Sequence, residues 1–149
     1  MDMDQKTLSL LNDVNRAIIK FRGIYSQWSS AHNISYNEML VLYTIREKGF
    51  CTQKQICDSY LLPRQTMNNV ITGMRENDLL ELSSENSLGR EKAFVLTEKG
   101  EGYAQPLLES MNRFEEQAVT LLGDEKLAAL TALILEYDQA LGQAMRDVR

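Results

Sequence analysis

Histidine and cysteine are scarce in this sequence, and their scarcity removes most of the chemistry a chain of this size could carry. One histidine, His32, and two cysteines, Cys51 and Cys57, stand among 149 residues. They offer no zinc-ligand spacing, so no metal and no cofactor are expected. There is no G-x-S-x-G, no phosphate-cradling glycine loop and no H-E-x-x-H, so no catalytic set can be assembled and an enzyme is not expected. If both cysteines sit near one helix, their spacing corresponds to about 9 Å of rise. That exceeds the ~7 Å over which two Cα atoms can be bridged. An intrachain disulfide is therefore not expected, in keeping with a reducing compartment. No stretch approaches the ~20 apolar residues of a membrane helix. The opening MDMDQKT is acidic and lacks an apolar core, unlike a secretory signal. A cytoplasmic protein with no membrane partner is expected. Two prolines and eight glycines are too few and too scattered to form a linker.

What is present is ordinary for a globular protein: 44% hydrophobic and 25% charged residues. The length suits a single domain over 1–149. The net charge is −5, but it is unevenly spread. Residues 1–45 carry four basic and four acidic side chains, 46–97 carry seven and seven, and 98–149 carry five and ten. A nucleic-acid site in the middle third would thus depend on local clustering of Arg and Lys rather than on a basic protein.

Apolar periodicity organises the chain. Over residues 5–30, Leu8, Leu11, Val14, Ile18, Phe21, Tyr25 and Trp28 recur at helical steps, with a second stripe at Leu10, Ala17 and Ile24. Two stripes fit either a core helix of one chain or a helix that also packs on a second subunit. Ser35-Tyr-Asn-Glu38 reads as a capping box opening a helix that stops at Gly49. Thr52-Gln-Lys-Gln55 is a second capping box, opening a short helix that Leu61-Leu62-Pro63 ends. Pro63 suits the first turn of the next helix. That helix, from Arg64 to about Asn77-Asp78, is apolar at Met67, Val70, Ile71 and Met74 and polar at Arg64, Gln65, Asn68, Asn69, Thr72 and Arg75. Leu80–Ser84 and Lys92–Leu96 read as two strands of a hairpin with a loop of about seven residues between them. Thr97 looks like a helix N-cap, although Pro106 obscures where that helix starts. Two amphipathic helices, broken at Gly123-Asp124, complete the chain.

Helix, helix, helix and hairpin in this order make a mainly α (α+β) fold, a winged helix-turn-helix with long N- and C-terminal helices. The helix after Pro63 would then enter the major groove. Its exposed residue types suit that role. Arg grips guanine with two bonds, Asn or Gln grips adenine, and hydroxyls such as Thr66 and Thr72 reach phosphates or base edges. No carboxylate interrupts this face before Glu76. Arg90 and Lys92 flank it from the hairpin.

The segment Arg90-Glu-Lys-Ala-Phe-Val-Leu96-Thr97-Glu-Lys-Gly100 is similar to the wing-to-helix signature of the MarR family, an Arg followed at fixed spacing by Leu-Thr-x-x-Gly. Leu62–Leu80 resembles that family's recognition helix, and the resemblance covers almost the whole chain. It implies a transcriptional regulator, expected to be a repressor, binding double-stranded DNA as a homodimer on a pseudo-palindromic operator. By this resemblance Arg90 enters the minor groove, while Arg64, Gln65, Thr66, Asn68 and Asn69 face the major groove. Residues 35–97 would form the DNA-binding lobe, with 1–30 and 98–149 as the dimerisation lobe. Two positions depart from the family. Leu88 stands where an Asp usually braces the wing Arg, and Asp78 stands where Gly is common.

Many members of the family release DNA on binding a small molecule near the junction of the two lobes. Trp28, His32, Tyr36, Met39 and Tyr43 fall in the matching region and suit a small aromatic ligand; the same residues also suit an ordinary core and hinge. Other members sense oxidants through cysteine. Cys51 precedes a helix N-terminus, whose dipole would lower its thiol pKa, while Cys57 is expected to be inert core. Alternatives to a ligand-released regulator are thus a redox sensor at Cys51 and a winged-helix module that binds protein instead of DNA.

Overall fold

The structure, a computed structural model, describes residues 2–148. The elements run α1 Gln5–Ala31, α2 Tyr36–Lys48, β1 Cys51–Thr52, α3 Gln53–Tyr60, α4 Arg64–Glu76, β2 Leu80–Leu88, β3 Glu91–Leu96, α5 Glu98–Leu122 and α6 Asp124–Asp147. This is the expected winged helix-turn-helix. The chain divides into two compact units, Met1–Leu107 and Leu108–Arg149.

Local chemistry sets most of the boundaries. Ser35 accepts from the Glu38 amide while Glu38 reaches back to the Ser35 amide, and Thr52 and Gln55 do the same for α3. Each pair satisfies two N–H groups that a helix start leaves without partners. Gly49 stops α2 in the left-handed region at φ 83°. Leu61 stops α3 there too, at φ 50°, a conformation a leucine adopts only at a cost. Pro63 is the cap residue itself rather than part of the first turn, and α4 begins at Arg64. α5 begins at Glu98 and continues through Pro106. Thr97 caps it, its hydroxyl accepting from the Gly100 amide at 2.9 Å.

In the first unit the core is built from α2, α3, α4 and the sheet. Met39, Val41, Leu42, Cys51, Ile56, Met67, Ile71 and Met74 are all but completely buried. The expected inner face of α4 is therefore the observed one. α1 contributes little to this core. Leu8, Leu10, Val14, Phe21 and Ile24 are exposed, and Ile19 keeps 71% of its surface in solvent.

The hairpin differs from expectation in two ways. First, the sheet has three strands in the order β1-β3-β2, all antiparallel; Cys51 and Thr52 pair with Phe94 and Ala93. A two-residue strand carries no periodicity to read. Second, the seven-residue loop is absent. β2 extends to Leu88, and only Gly89 and Arg90 turn the chain. Ser83 pairs with Ala93 and Leu88 with Glu91, so five steps on β2 match two on β3. The surplus is absorbed in a bulge held by side chains. The Ser87 hydroxyl donates to the Ser83 carbonyl at 2.6 Å and accepts from the Ala93 amide at 3.0 Å. Asn86 Nδ2 donates to Ser83 Oγ at 3.0 Å. Polar residues expected to form a loop thus substitute for ladder partners.

In the second unit, α6 follows Gly123, whose φ of 94° breaks the helical run. Among its described residues α6 buries none; Leu133, Leu135, Leu141 and Met145 are exposed.

Candidate nucleic-acid interface

α3 and α4 form the helix-turn-helix, and the turn between them is only Leu61–Pro63. Met67, Ile71 and Met74 anchor α4 from beneath. The opposite face must then point outward, because residues three and four apart share one side of a helix. Arg64, Gln65, Asn68, Asn69, Thr72 and Arg75 are all exposed on α4, and Thr66 is half-buried. These side chains are partly pre-arranged. Gln65 Nε2 donates to Asn69 Oδ1 at 2.8 Å, and Gln53 Nε2, from α3, donates to Asn68 Oδ1 at 3.0 Å. The Arg75 guanidinium lies 5.3 Å from the centre of the Phe94 ring, so its planar head is held against β3.

Arg90 occupies the second position of the two-residue wing turn and is exposed. Leu88, at the position of the family's bracing Asp, is 80% exposed. Lys92 is exposed on β3. The wing is tied to the helix-turn-helix by Glu91, whose carboxylate accepts from the Lys54 amide at 3.0 Å in the first turn of α3. Lys54 Nζ lies 2.6 Å from Asp58 Oδ2, and this contact with the carboxylate raises the lysine's pKa.

The Leu-Thr-x-x-Gly stretch has a visible purpose. Thr97 Oγ1 donates to the Asp78 carbonyl at 2.6 Å, and the Thr97 amide donates to the Leu79 carbonyl at 3.1 Å. Gly100 packs so closely on Leu79 that a Cβ there would overlap the Leu79 carbonyl oxygen and lie 3.1 Å from Leu96 Cδ2. The motif therefore pins the end of α4 to the start of α5. Asp78, between α4 and β2, is left-handed at φ 58°, as a position that favours Gly should be.

Residues 34–100 match the family model described as a winged helix DNA-binding domain. No curated protein matches the chain. Among solved structures it is similar to NMB1585, a MarR family regulator from Neisseria meningitidis. That match has 26% identity and a TM-score of 0.85, covering 99% of this chain and 100% of that one. The chain carries a winged helix DNA-binding domain and shares the fold of a MarR family regulator. It is a transcription regulator with a winged helix-turn-helix DNA-binding domain. The MarR fold also extends to Staphylococcus aureus MarR in complex with salicylate and kanamycin, at 18% identity and TM-score 0.69, covering 91% of this chain and 94% of that one. It extends likewise to Bordetella bronchiseptica BpsR, whose DNA binding is regulated by 6-hydroxynicotinic acid, at 17% identity and TM-score 0.68, covering 87% and 98%.

The five residues expected near a ligand lie at the end of α1 and along α2. Trp28 and His32 stack on each other, ring centres 3.9 Å apart, and His32 Nδ1 lies 2.8 Å from the Trp28 carbonyl. Tyr36 packs 5.8 Å from Tyr25, and Arg46 sits 4.6 Å over the Tyr43 ring. Met39 is completely buried. The thiol of Cys51 is opposite to expectation. Cys51 has no exposed surface, and burial pushes its pKa up to about 12. Desolvation of a thiolate in the sheet outweighs any pull from the α3 N-terminus, so Cys51 lacks the environment of a redox-sensing cysteine. Cys57 is buried as well. No helix among the described residues is long and apolar enough to cross a membrane.

The contact of Gln53 with the α4 face was not expected from the sequence. Its signal was faint, a glutamine at the first position of α3 whose partner is fifteen residues away.

Proposed function

We propose that this chain is a homodimeric repressor that binds a pseudo-palindromic DNA operator and is released by a small aromatic ligand. The observation that carries the reading is the exposed face of α4. Arg64, Gln65, Asn68, Asn69, Thr72 and Arg75 project outward with no carboxylate before Glu76, and Arg90 stands at a wing turn of two residues. Major-groove readout by α4 and a minor-groove contact by Arg90 use these groups as their chemistry allows. Residues 35–97 act as the DNA-binding lobe.

Dimerisation by 1–30 and 98–149 accounts for the apolar residues left exposed on α1 and, separately, on α6. So many large apolar side chains left in solvent on one helix are what an interaction surface would cover. Two copies place two recognition helices on half-sites about one helical turn apart. The ligand reading rests on the residue types of Trp28, His32, Tyr36, Met39 and Tyr43, aromatic and apolar with polar tips, at the end of α1 and along α2. It is supported by the salicylate bound to Staphylococcus aureus MarR and by the 6-hydroxynicotinic acid that regulates BpsR.

Selection from random duplexes at two salt concentrations tests this reading. A selected palindrome with half-sites one turn apart supports the dimeric reader. Absence of any salt-dependent duplex binding turns the assignment toward a protein-binding winged helix, a reading favoured by the exposed Leu88 and the net charge of −5.

A further inference from the structure

Gln53 has no capping duty, since Thr52 and Gln55 share that role at the start of α3. Its side chain reaches instead to the neighbouring helix, where Nε2 donates to Asn68 Oδ1 at 3.0 Å. An asparagine amide on a helix surface is an ambiguous reader. A half-turn of its terminal torsion exchanges its acceptor for its two donors, and the base edge it suits changes accordingly. In the structure the Gln53 amide faces Asn68 with its donor, and so turned it resolves the ambiguity. One lone pair on Asn68 Oδ1 is committed to α3, so the amide keeps one acceptor lone pair beside its amino group. One acceptor and one donor side by side match N6 and N7 of adenine. The bond between Gln65 and Asn69 differs, because both residues lie on α4 and move with it. Among the described residues only the Gln53 bond ties a side chain of the exposed α4 face to a second helix.

The geometry points to Gln53 as a positioning residue that sets the Asn68 amide for adenine, so that preference at one position of each half-site depends on a residue outside the recognition helix. This rests on α4 reading DNA, as proposed above.

The experiment measures affinity for duplexes varied one base pair at a time across a selected half-site. It uses the full-length chain and the variants Asn68→Ala, Gln53→Ala, Gln53→Glu and Gln53→Ala/Asn68→Ala, with thermal midpoints alongside. Asn68→Ala is expected to lower the preference for adenine at one position by roughly tenfold. Gln53→Ala should flatten that same position, leaving the others and the thermal midpoint near wild type. The double variant should be no flatter than Asn68→Ala, as expected for coupled residues. Gln53→Glu can only accept, so it should turn the amide over and move the preference away from adenine. The inference is overturned if Gln53→Ala spares the position that Asn68→Ala erases, if it weakens all sequences equally, or if that position does not select adenine. If Asn68→Ala alters no position, the inference falls while α4 can still read through Arg64; if no position of the half-site is selective, the reading of α4 as base reader fails too.

Discussion

Replacing Gly100 with alanine is the sharpest perturbation the fold offers, because a single methyl group would collide with backbone. The new Cβ would overlap the Leu79 carbonyl oxygen and approach the Leu79 carbonyl carbon at 3.0 Å. Leu79 cannot move aside unaided, because its carbonyl accepts from the Thr97 amide and the Asp78 carbonyl beside it accepts from the Thr97 hydroxyl. Shifting the strand loosens two hydrogen bonds worth about 1 kcal/mol each. Forcing an extra methyl into a closed space costs a further ~1–3 kcal/mol. The better helix propensity of alanine returns about 1 kcal/mol. The expected loss is roughly 2–4 kcal/mol, read as a lower urea midpoint by circular dichroism with unchanged slope. Protein concentration must be held constant, because dimerisation would make stability concentration-dependent. Gly73→Ala is the control. A Cβ there meets nothing within 4 Å in the middle of α4, so stability should rise by roughly 0.5–1 kcal/mol. A Gly100→Ala protein within ~0.5 kcal/mol of wild type would refute the claim that Leu-Thr-x-x-Gly exists to join α4 to α5.

The remaining predictions test the site, the assembly and the thiol. Asp78→Gly should stabilise the chain by about 0.5–1 kcal/mol in the same urea assay, because φ is 58° there and Gly carries no Cβ. Arg64→Ala should relax base preference in a selection experiment. Arg90→Ala should weaken all duplexes alike and lower the salt slope by about one per arm; equal, uniform losses from both would contradict the division of labour between helix and wing. Leu133→Glu on α6, where the leucine is 65% exposed, should give monomers by light scattering with little DNA affinity; a fully active monomer would end the dimer proposal. Cys51 should resist a thiol probe at pH 8 in the folded protein. With its pKa pushed to about 12, the thiolate fraction is about one in ten thousand there. Rapid labelling at low urea, or loss of DNA binding on mild oxidation traced to Cys51, would restore the redox reading.

The legible parts of this chain are those fixed by interactions a few residues apart. Both capping boxes span three residues, and the Gly49 stop belongs to its own helix. The inner face of α4 repeats at helical spacing, and the α3–α4 turn is announced by Pro63. Features that depend on distant partners were not legible. β1 exists because Cys51 and Thr52 find Phe94 and Ala93 more than forty residues later. The wing bulge depends on the Ser87 hydroxyl meeting the Ala93 amide across the hairpin, so a polar run that looks like a loop is strand up to Leu88. Position relative to a helix end suggested an activated Cys51, whereas burial in the sheet, which no local pattern encodes, decides its chemistry the other way. The two stripes on α1 left a core helix and a subunit helix both open; Leu8, Leu10, Val14, Phe21 and Ile24 are exposed, which fits the second reading, the one proposed above.

Charge follows the same logic of local placement. A net charge of −5 would argue against DNA if charge acted as a sum, yet residues 98–149 hold ten of the 21 acidic side chains. Within 46–97, where basic and acidic residues balance, what matters is where each cation is placed. Lys54 is engaged by Asp58, an exposed pair that a phosphate can replace at little cost. Arg75 is laid on Phe94. Among the described residues Arg64 and Arg90 form no ion pair, and they stand at the two places, the start of α4 and the wing turn, where a duplex would be met. Screening limits the reach of distant carboxylates to about 8–10 Å at physiological salt. On the proposed reading the strength of binding would be governed by those two arginines and the amides between them, and the overall acidity would bear on how fast the protein approaches DNA more than on how tightly it holds.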